Sequence, residues 1–215
     1  MFEEDGKGKQ ADMTRFVGSG WKRLWREGIT PWDLQGPTPI LQWFLRENKL
    51  DLKSGPVLVP GCGSGWDLGL LKKTFAASRV VGMDISEEAV TTCKQNNANC
   101  TVLSGDFFAH KPDEPYSLVY DHTFFCALKP AMRSRWGQQM SRLISEDGYL
   151  LAVVYPQTDA DLIDGPPYLV KLDDYLNVLP DFKLIFHSTL PSQLANHSRR
   201  NAENELIALF QKLKE

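Results

Sequence analysis

The stretch Val57-Leu58-Val59-Pro60-Gly61-Cys62-Gly63-Ser64-Gly65-Trp66-Asp67 reads as a short buried strand, a glycine turn and the start of a helix. Glycine lets the backbone turn tightly and approach a ligand closely. A ligand held by such a unit sits at the carboxyl end of the strand, near the helix N-terminus. A lone glycine loop is a weak signal, and the residues downstream of it decide its meaning. Asp84 closes the next apolar run, 23 positions after Gly61. An acid about 20 residues on can accept two hydrogen bonds from ribose hydroxyls. The third run ends in Gly105-Asp106-Phe107-Phe108. There an acid can accept from an adenine amino group while an adjacent backbone N–H donates to the ring. The bland alternative is an α/β turn whose glycines serve a tight connection, with Asp84 as a helix cap. Any one feature alone favours that alternative; all three in order favour one adenosine held by three strand ends.

The ligand is better matched by S-adenosylmethionine (SAM) than by NAD. The dinucleotide fingerprint is GxGxxG, whereas position 66 here is Trp66 and the loop reads GxGxG. Asp67, near the helix start, would repel phosphate and suit a cationic ligand.

Outward from the loop, strand-like runs alternate with helix-like stretches, the pattern of an α/β fold with a largely parallel sheet. Helices are expected at 38–48, 66–75, from the N-cap Ser86, and at 130–144, the last stopped by Asp147-Gly148. Strands are expected at 56–60, 79–83, 100–104, 116–120, 149–155 and 183–188. The run 205–213 could be a seventh strand or a helix, because short apolar runs are ambiguous.

The 215 residues fit one domain, and 42% hydrophobic with 24% charged residues is ordinary for a globular protein. A net charge of −3 gives no basic field, so nucleic acid is not an expected partner. The longest apolar run, Leu150 to Tyr155, is far too short for a membrane helix. Residues 1–19 are polar and read as mobile rather than as a signal peptide. Four cysteines without CxxC or Cys/His spacing suggest a reduced, cytoplasmic chain with no metal site. A monomer is the default expectation.

Further motifs carry a family resemblance. They are Trp21-Lys22-Arg23-Leu24-Trp25, Gly28-Ile29-Thr30-Pro31-Trp32-Asp33, the glycine loop itself, Val81-Gly82-Met83-Asp84-Ile85-Ser86-Glu87, Gly105-Asp106-Phe107-Phe108, Tyr120-Asp121-His122-Thr123-Phe124-Phe125-Cys126-Ala127-Leu128 and Gly165-Pro166-Pro167-Tyr168. In this combination the chain resembles the thiopurine S-methyltransferase family, most closely its thiol, halide and thiocyanate methyltransferase branch. The resemblance implies an α/β class I SAM-dependent methyltransferase fold, Rossmann-like. It implies a seven-stranded, mostly parallel sheet with helices on both faces and the last strand antiparallel. Residues 1–36 would form an N-terminal lid, partly mobile, and 37–215 the methyltransferase domain. SAM would be the cofactor, S-adenosylhomocysteine the product, and a small molecule the substrate. Trp21, Trp25 and Trp32 would cover SAM, Gly61 would be the close-approach glycine, Asp84 the ribose acid, and Asp106 with Phe107 the adenine edge. His122 stands where the family usually has a Tyr or Arg lining the site.

Physical readings stand beside the resemblance. Trp21 and Trp25 share a helix face at i, i+4, as anchors of a docked turn or as a roof over a sulfonium. Phe107, Phe108, Phe124, Phe125 and Tyr168 could build an apolar pocket for a soft nucleophile, although core packing accounts for Phe124 and Phe125 taken singly. His122 could hold an anion, accept a thiol proton, or be structural. His110, His187 and His197 read as surface residues. No catalytic residue is assigned. The expected activity is methyl transfer to a thiol or hydrosulfide, with halide or thiocyanate as further acceptors. Alternatives are a thiopurine or aryl-thiol methyltransferase and a non-catalytic SAM-binding module.

Overall fold

Seven strands form one sheet in the order β3-β2-β1-β4-β5-β7-β6 in a computed structural model of the protein. The structure describes residues 20–48, 50, 52, 55–76, 78–157, 165–191 and 204–214. The expectations for residues 1–19 and His197 lie outside that set.

In chain order the elements are α1 (Trp21–Arg26), α2 (Pro39–Glu47), β1 (Val57–Pro60), α3 (Trp66–Thr74), β2 (Val80–Asp84), α4 (Glu87–Asn96), β3 (Thr101–Ser104) and β4 (Tyr116–His122). Then come α5 (Arg133–Leu143), β5 (Ile144–Val154), α6 (Leu172–Leu176), β6 (Phe182–Thr189) and β7 (Leu206–Lys212). β1 to β5 run parallel, and β7 is antiparallel to both β5 and β6. The ambiguous last run is therefore a strand. Pairing on both of its edges decides what its composition could not.

Successive strand residues face opposite sides, so the sheet separates two cores. On one side Val57, Val59, Leu118 and Tyr120 pack with Ile40, Leu41 and Phe44 of α2, Leu68 and Leu71 of α3 and Cys93 of α4. On the other, Leu58 and Val119 pack with Trp136, Met140 and Leu143 of α5 and Tyr175 of α6. Both faces are covered, which is why the central strands read as unbroken apolar runs.

Two expectations change. The helix before β5 ends at Leu143, and Asp147-Gly148 lies within β5 rather than after the helix. Register moves from Tyr116↔Ile144 to Leu118↔Tyr149, and Asp147 has φ 60°, so the pair makes a bulge instead of a helix stop. β4 also runs two residues further than expected, to His122. Its end is held by Asp121, which is fully buried and accepts from the backbone N–H groups of Phe124 (3.3 Å) and Phe125 (3.1 Å) and from Trp136 Nε1 (3.1 Å).

Burial raises the Asp121 carboxyl to about 6, against the pull of those donors. Replacing Asp121 with Ala strands buried donors and should destabilise the fold by about 2–4 kcal/mol in urea unfolding. A group with a raised folded pKa contributes stability that is complete below the ordinary aspartate range and is lost as pH rises through about 6. The loss caused by Asp121→Ala should therefore be smaller at pH 7.5 than at pH 5. A loss that grows with pH would contradict this account.

Candidate active site

β1 pairs with β2 along one edge and with β4 along the other, so the strand order reverses there and a crevice opens at the carboxyl ends. The main chain knits these ends together. Cys62 N donates to Met83 O at 3.0 Å, and Gly105 N donates to Asp84 O at 3.0 Å.

Asp84 is the last residue of β2 and is 8% exposed. Its Oδ2 accepts from Gly63 N at 3.1 Å and its Oδ1 from Ser86 N at 2.9 Å. Burial pushes its pKa up, and those N–H groups partly offset the shift. The cap reading and the ligand reading are both compatible with this geometry, since each carboxylate oxygen accepts more than one hydrogen bond. Asp106 stands two residues past β3, the next strand, and is exposed. Its Oδ1 accepts from Phe108 N at 2.9 Å and caps a single 3-10 turn, Phe107–Ala109.

Gly61 and Gly65 both need left-handed backbone, at φ 59° and 79°. A Cβ on Gly65 would meet Cys93 Sγ at 2.4 Å, so that glycine serves the packing of α3 on α4. A Cβ on Gly61 would lie 2.6 Å from Phe124 Cδ2. The Phe124 ring thus stands against Gly61, and it also meets Phe107 edge-on at 5.0 Å. Phe124 follows Thr123, which holds φ 60°, a costly conformation for a β-branched residue.

The described part of the N-terminal segment lies on the glycine loop. A Cβ on Gly63 would sit 3.3 Å from the Trp25 ring. Trp32 meets Trp21 at 5.2 Å and Trp25 at 6.2 Å, both edge-on. Asp33 pins this strap by accepting from Ser64 Oγ and, at 2.8 Å, from Trp66 Nε1. Sequence reasoning assigned Asp33 no role. The signal was present as an acid beside Trp32 and a hydroxyl within the loop.

Asp67 does not face a ligand charge, as its place at the helix start had suggested. It is buried and accepts from Thr38 N (2.7 Å) and Thr38 Oγ1 (2.6 Å), with His122 Nδ1 at 3.5 Å. Burial opposes its ionisation, but His122 and the two Thr38 donors outweigh burial and hold its carboxyl below the usual range. His122 ends β4, lies 3.1 Å from Thr38 Oγ1 and stacks on Tyr120 at 6.2 Å.

The aromatic set divides. Phe125 is fully buried between Trp136 (4.5 Å) and Tyr175 (4.2 Å), so it belongs to the core and not to a pocket. The Phe107 side chain is also core, at 4% exposure. Phe108 carries the Arg135 guanidinium over its ring at 4.5 Å. Tyr168 N donates to Cys126 O at 2.7 Å, tying the Gly-Pro-Pro-Tyr segment to the turn after Phe124. His110 is half-buried and bonded to the Tyr116 hydroxyl at 2.7 Å, so it is no surface residue, whereas His187 is exposed as expected. Among the described residues, no group of three His, Cys, Asp or Glu is placed to hold a metal.

The parallel sheet with an antiparallel β7 and the glycine loop at the strand reversal define the class I SAM-dependent methyltransferase fold. Solved structures share this fold. They include magnesium protoporphyrin IX methyltransferase from Synechocystis PCC 6803 with bound S-adenosylhomocysteine (18% identity, 80% of each chain, TM-score 0.61). Another is a TehB-like SAM-dependent methyltransferase from Corynebacterium glutamicum (18% identity, 94% of this chain and 99% of that one, TM-score 0.60). Within that class the chain belongs to the thiopurine S-methyltransferase family, whose model matches residues 17–213. It is 34% identical over 197 residues to a probable thiol methyltransferase 2 of Arabidopsis thaliana, covering 89% of this chain and 84% of that one. It is 38% identical over 166 residues to thiocyanate methyltransferase 1 of Brassica oleracea, covering 74% and 71%. A thiopurine S-methyltransferase of Aliivibrio fischeri is 27% identical over 184 residues, covering 76% and 83%. The protein is an enzyme whose cofactor is SAM.

Removing the Asp33 carboxylate frees α1 and the tryptophans from the loop. Asp33→Ala should speed amide exchange across Trp21–Arg26 by about tenfold, the equivalent of one to two modest hydrogen bonds. Unchanged exchange there would show that the strap is held elsewhere.

Proposed function

We propose that the protein transfers the methyl group of SAM to a small soft sulfur nucleophile, a thiol or hydrosulfide, with halide and thiocyanate as further acceptors. One observation carries this reading. The Trp25 indole lies on Gly63, and the amide of that same residue is bonded to Asp84. A nucleoside acceptor and an aromatic roof thus share one loop. The named activities of the plant relatives support the acceptor class.

On this reading Asp84 takes the ribose hydroxyls, and Asp106 with the Phe107 backbone takes the adenine edge. Residues 1–36 act as a lid over the domain formed by 37–215. Trp21, Trp25 and Trp32 roof the cationic sulfur, where an aromatic face is worth about 0.5–2 kcal/mol. His122, Phe124 and Tyr168 border the acceptor. Gly61 gives the cofactor its close approach to the loop, beside the Phe124 ring. Bound SAM supplies an electrophilic methyl group, and the displacement is in line. The chain's own work is alignment and the exclusion of water. Soft anions are weakly hydrated, so half-buried aromatic walls suit them.

We place the enzyme in the cytoplasm as a monomer without nucleic-acid partners. Its four cysteines are free thiols, its net charge is −3, and among the described residues no helix is long and apolar enough to cross a membrane.

Incubation with SAM and sodium hydrosulfide or potassium iodide should release methanethiol or iodomethane into the headspace, with S-adenosylhomocysteine in solution. SAM binding without methyl transfer to hydrosulfide, iodide, thiocyanate or an aryl thiol would leave only a binding module.

Asp84→Ala should weaken SAM binding by about 1–3 kcal/mol in calorimetry, since a charged acceptor is lost. Because burial raises the Asp84 pKa, wild-type affinity should decline on acidification at a higher pH than an ordinary aspartate would dictate. Unchanged affinity in the variant would remove Asp84 from the ribose.

A further inference from the structure

Thr38, Asp67 and His122 come from three separate places, the N-cap of α2, the first turn of α3 and the end of β4, and they meet at the carboxyl edge of the sheet. Thr38 Oγ1 stands between the other two, 2.6 Å from Asp67 Oδ2 and 3.1 Å from His122 Nδ1. A hydroxyl has a single proton. Asp67 also takes the Thr38 backbone N–H at 2.7 Å, and as a carboxylate it can only accept, so that proton goes to Asp67. At His122 the Thr38 oxygen must therefore accept, and Nδ1 must carry the hydrogen. In neutral imidazole the lone pair then belongs to Nε2.

We propose that Thr38 and Asp67 are positioning residues that fix His122 as the Nδ1–H tautomer, so that Nε2 takes the proton of a neutral thiol or hydrogen sulfide as its sulfur attacks the methyl group. The inference rests on the methyltransferase reading above and divides its acceptors into those that arrive protonated and need His122 and those, such as iodide, that do not. In the step the S–H bond breaks and a new carbon–sulfur bond forms. The bond from the methyl group to the sulfonium breaks, with its electron pair staying on S-adenosylhomocysteine. The thiol proton rests on Nε2 and leaves to water after product departs. Asp67, 3.5 Å from the ring, is the counter-charge for the imidazolium formed.

Among the described residues, Tyr120 and Asp121 on β4 are further titratable groups against the ring, with Glu205 acting on Tyr120. Burial, then the Asp67 charge, keeps the Tyr120 hydroxyl un-ionised, so it does not compete as the base. Asp121 is committed to three N–H donors and faces the opposite side of the strand.

Iodide separates the proton step from methyl transfer, because it brings no proton. The full-length enzyme is assayed with SAM and either ethanethiol or iodide from about pH 7 to about pH 9. In wild type, kcat/KM for the thiol should stay nearly level. In His122→Gln it should climb about tenfold per pH unit, following the thiolate fraction. At the low end of the range, the ratio of thiol to iodide turnover should fall about 10²-fold. Thr38→Val keeps the backbone N–H bond to Asp67 but breaks the link to His122. It should show the same steepening with a loss of about tenfold. Nitrogen-15 shifts of His122 in the wild-type protein should report Nδ1 as the protonated atom, whatever the variants do.

The opposite tautomer, or a wild-type profile retained in His122→Gln, overturns the proposal. So does a wild-type thiol rate that already tracks thiolate while iodide is methylated. A wild type that methylates neither acceptor overturns the parent reading instead, and this one with it.

Discussion

The hydrogen bond from Gly63 N to the buried Asp84 carboxylate is the contact on which the rest of the site is built. It joins the end of β2 to the turn after β1, and its donor is exposed to a partner only because the glycine turn aims the amide inward. The same turn presents Ser64 to Asp33 and Gly63 to the Trp25 ring. One carboxylate therefore orders a loop, and the loop orders a strap. Cys62 N on Met83 O and Gly105 N on Asp84 O brace it from the main chain. A buried acid without such donors would shed its charge.

The end of β4 shows a different economy of polar groups. Asp67, Tyr120 and Asp121 are all buried within one stretch of the crevice wall, and burial opposes the ionisation of each. Asp67 keeps its charge because Thr38 and His122 surround it. Asp121 is met by neutral N–H donors and titrates near 6. Thr123 adds backbone strain at φ 60° directly after His122. Such features destabilise a fold and persist where the surroundings over-determine them, which is common at functional sites.

The sheet was legible because its signal is local and periodic. Runs such as Val57–Pro60 and Val80–Asp84 are buried on both faces, so composition alone marks them. The place of Asp84 at the end of β2 was legible for the same reason, since a strand end has a fixed place in the fold. Asp147-Gly148 misled because one dipeptide serves both a helix stop and a bulge, and only pairing with β4 distinguishes them. The roles of Asp33, Thr38 and Asp67 depend on partners about 30 or more residues away, which no local pattern encodes. Phe124 and Phe125 are adjacent in an irregular turn, without periodicity to say which faces the crevice. The core took Phe125 and left Phe124 against Gly61.

On the proposed reading, the ends of β1, β2 and β3 and the tryptophan strap enclose a single ligand. A crystal structure of the protein with S-adenosylhomocysteine tests it most directly. The account predicts both ribose hydroxyls within hydrogen-bond distance of Asp84, the adenine amino group at Asp106, and the thioether sulfur beneath the strap indoles. A ligand seated elsewhere, or a crevice still closed by Phe124 with the ribose away from Asp84, would contradict it.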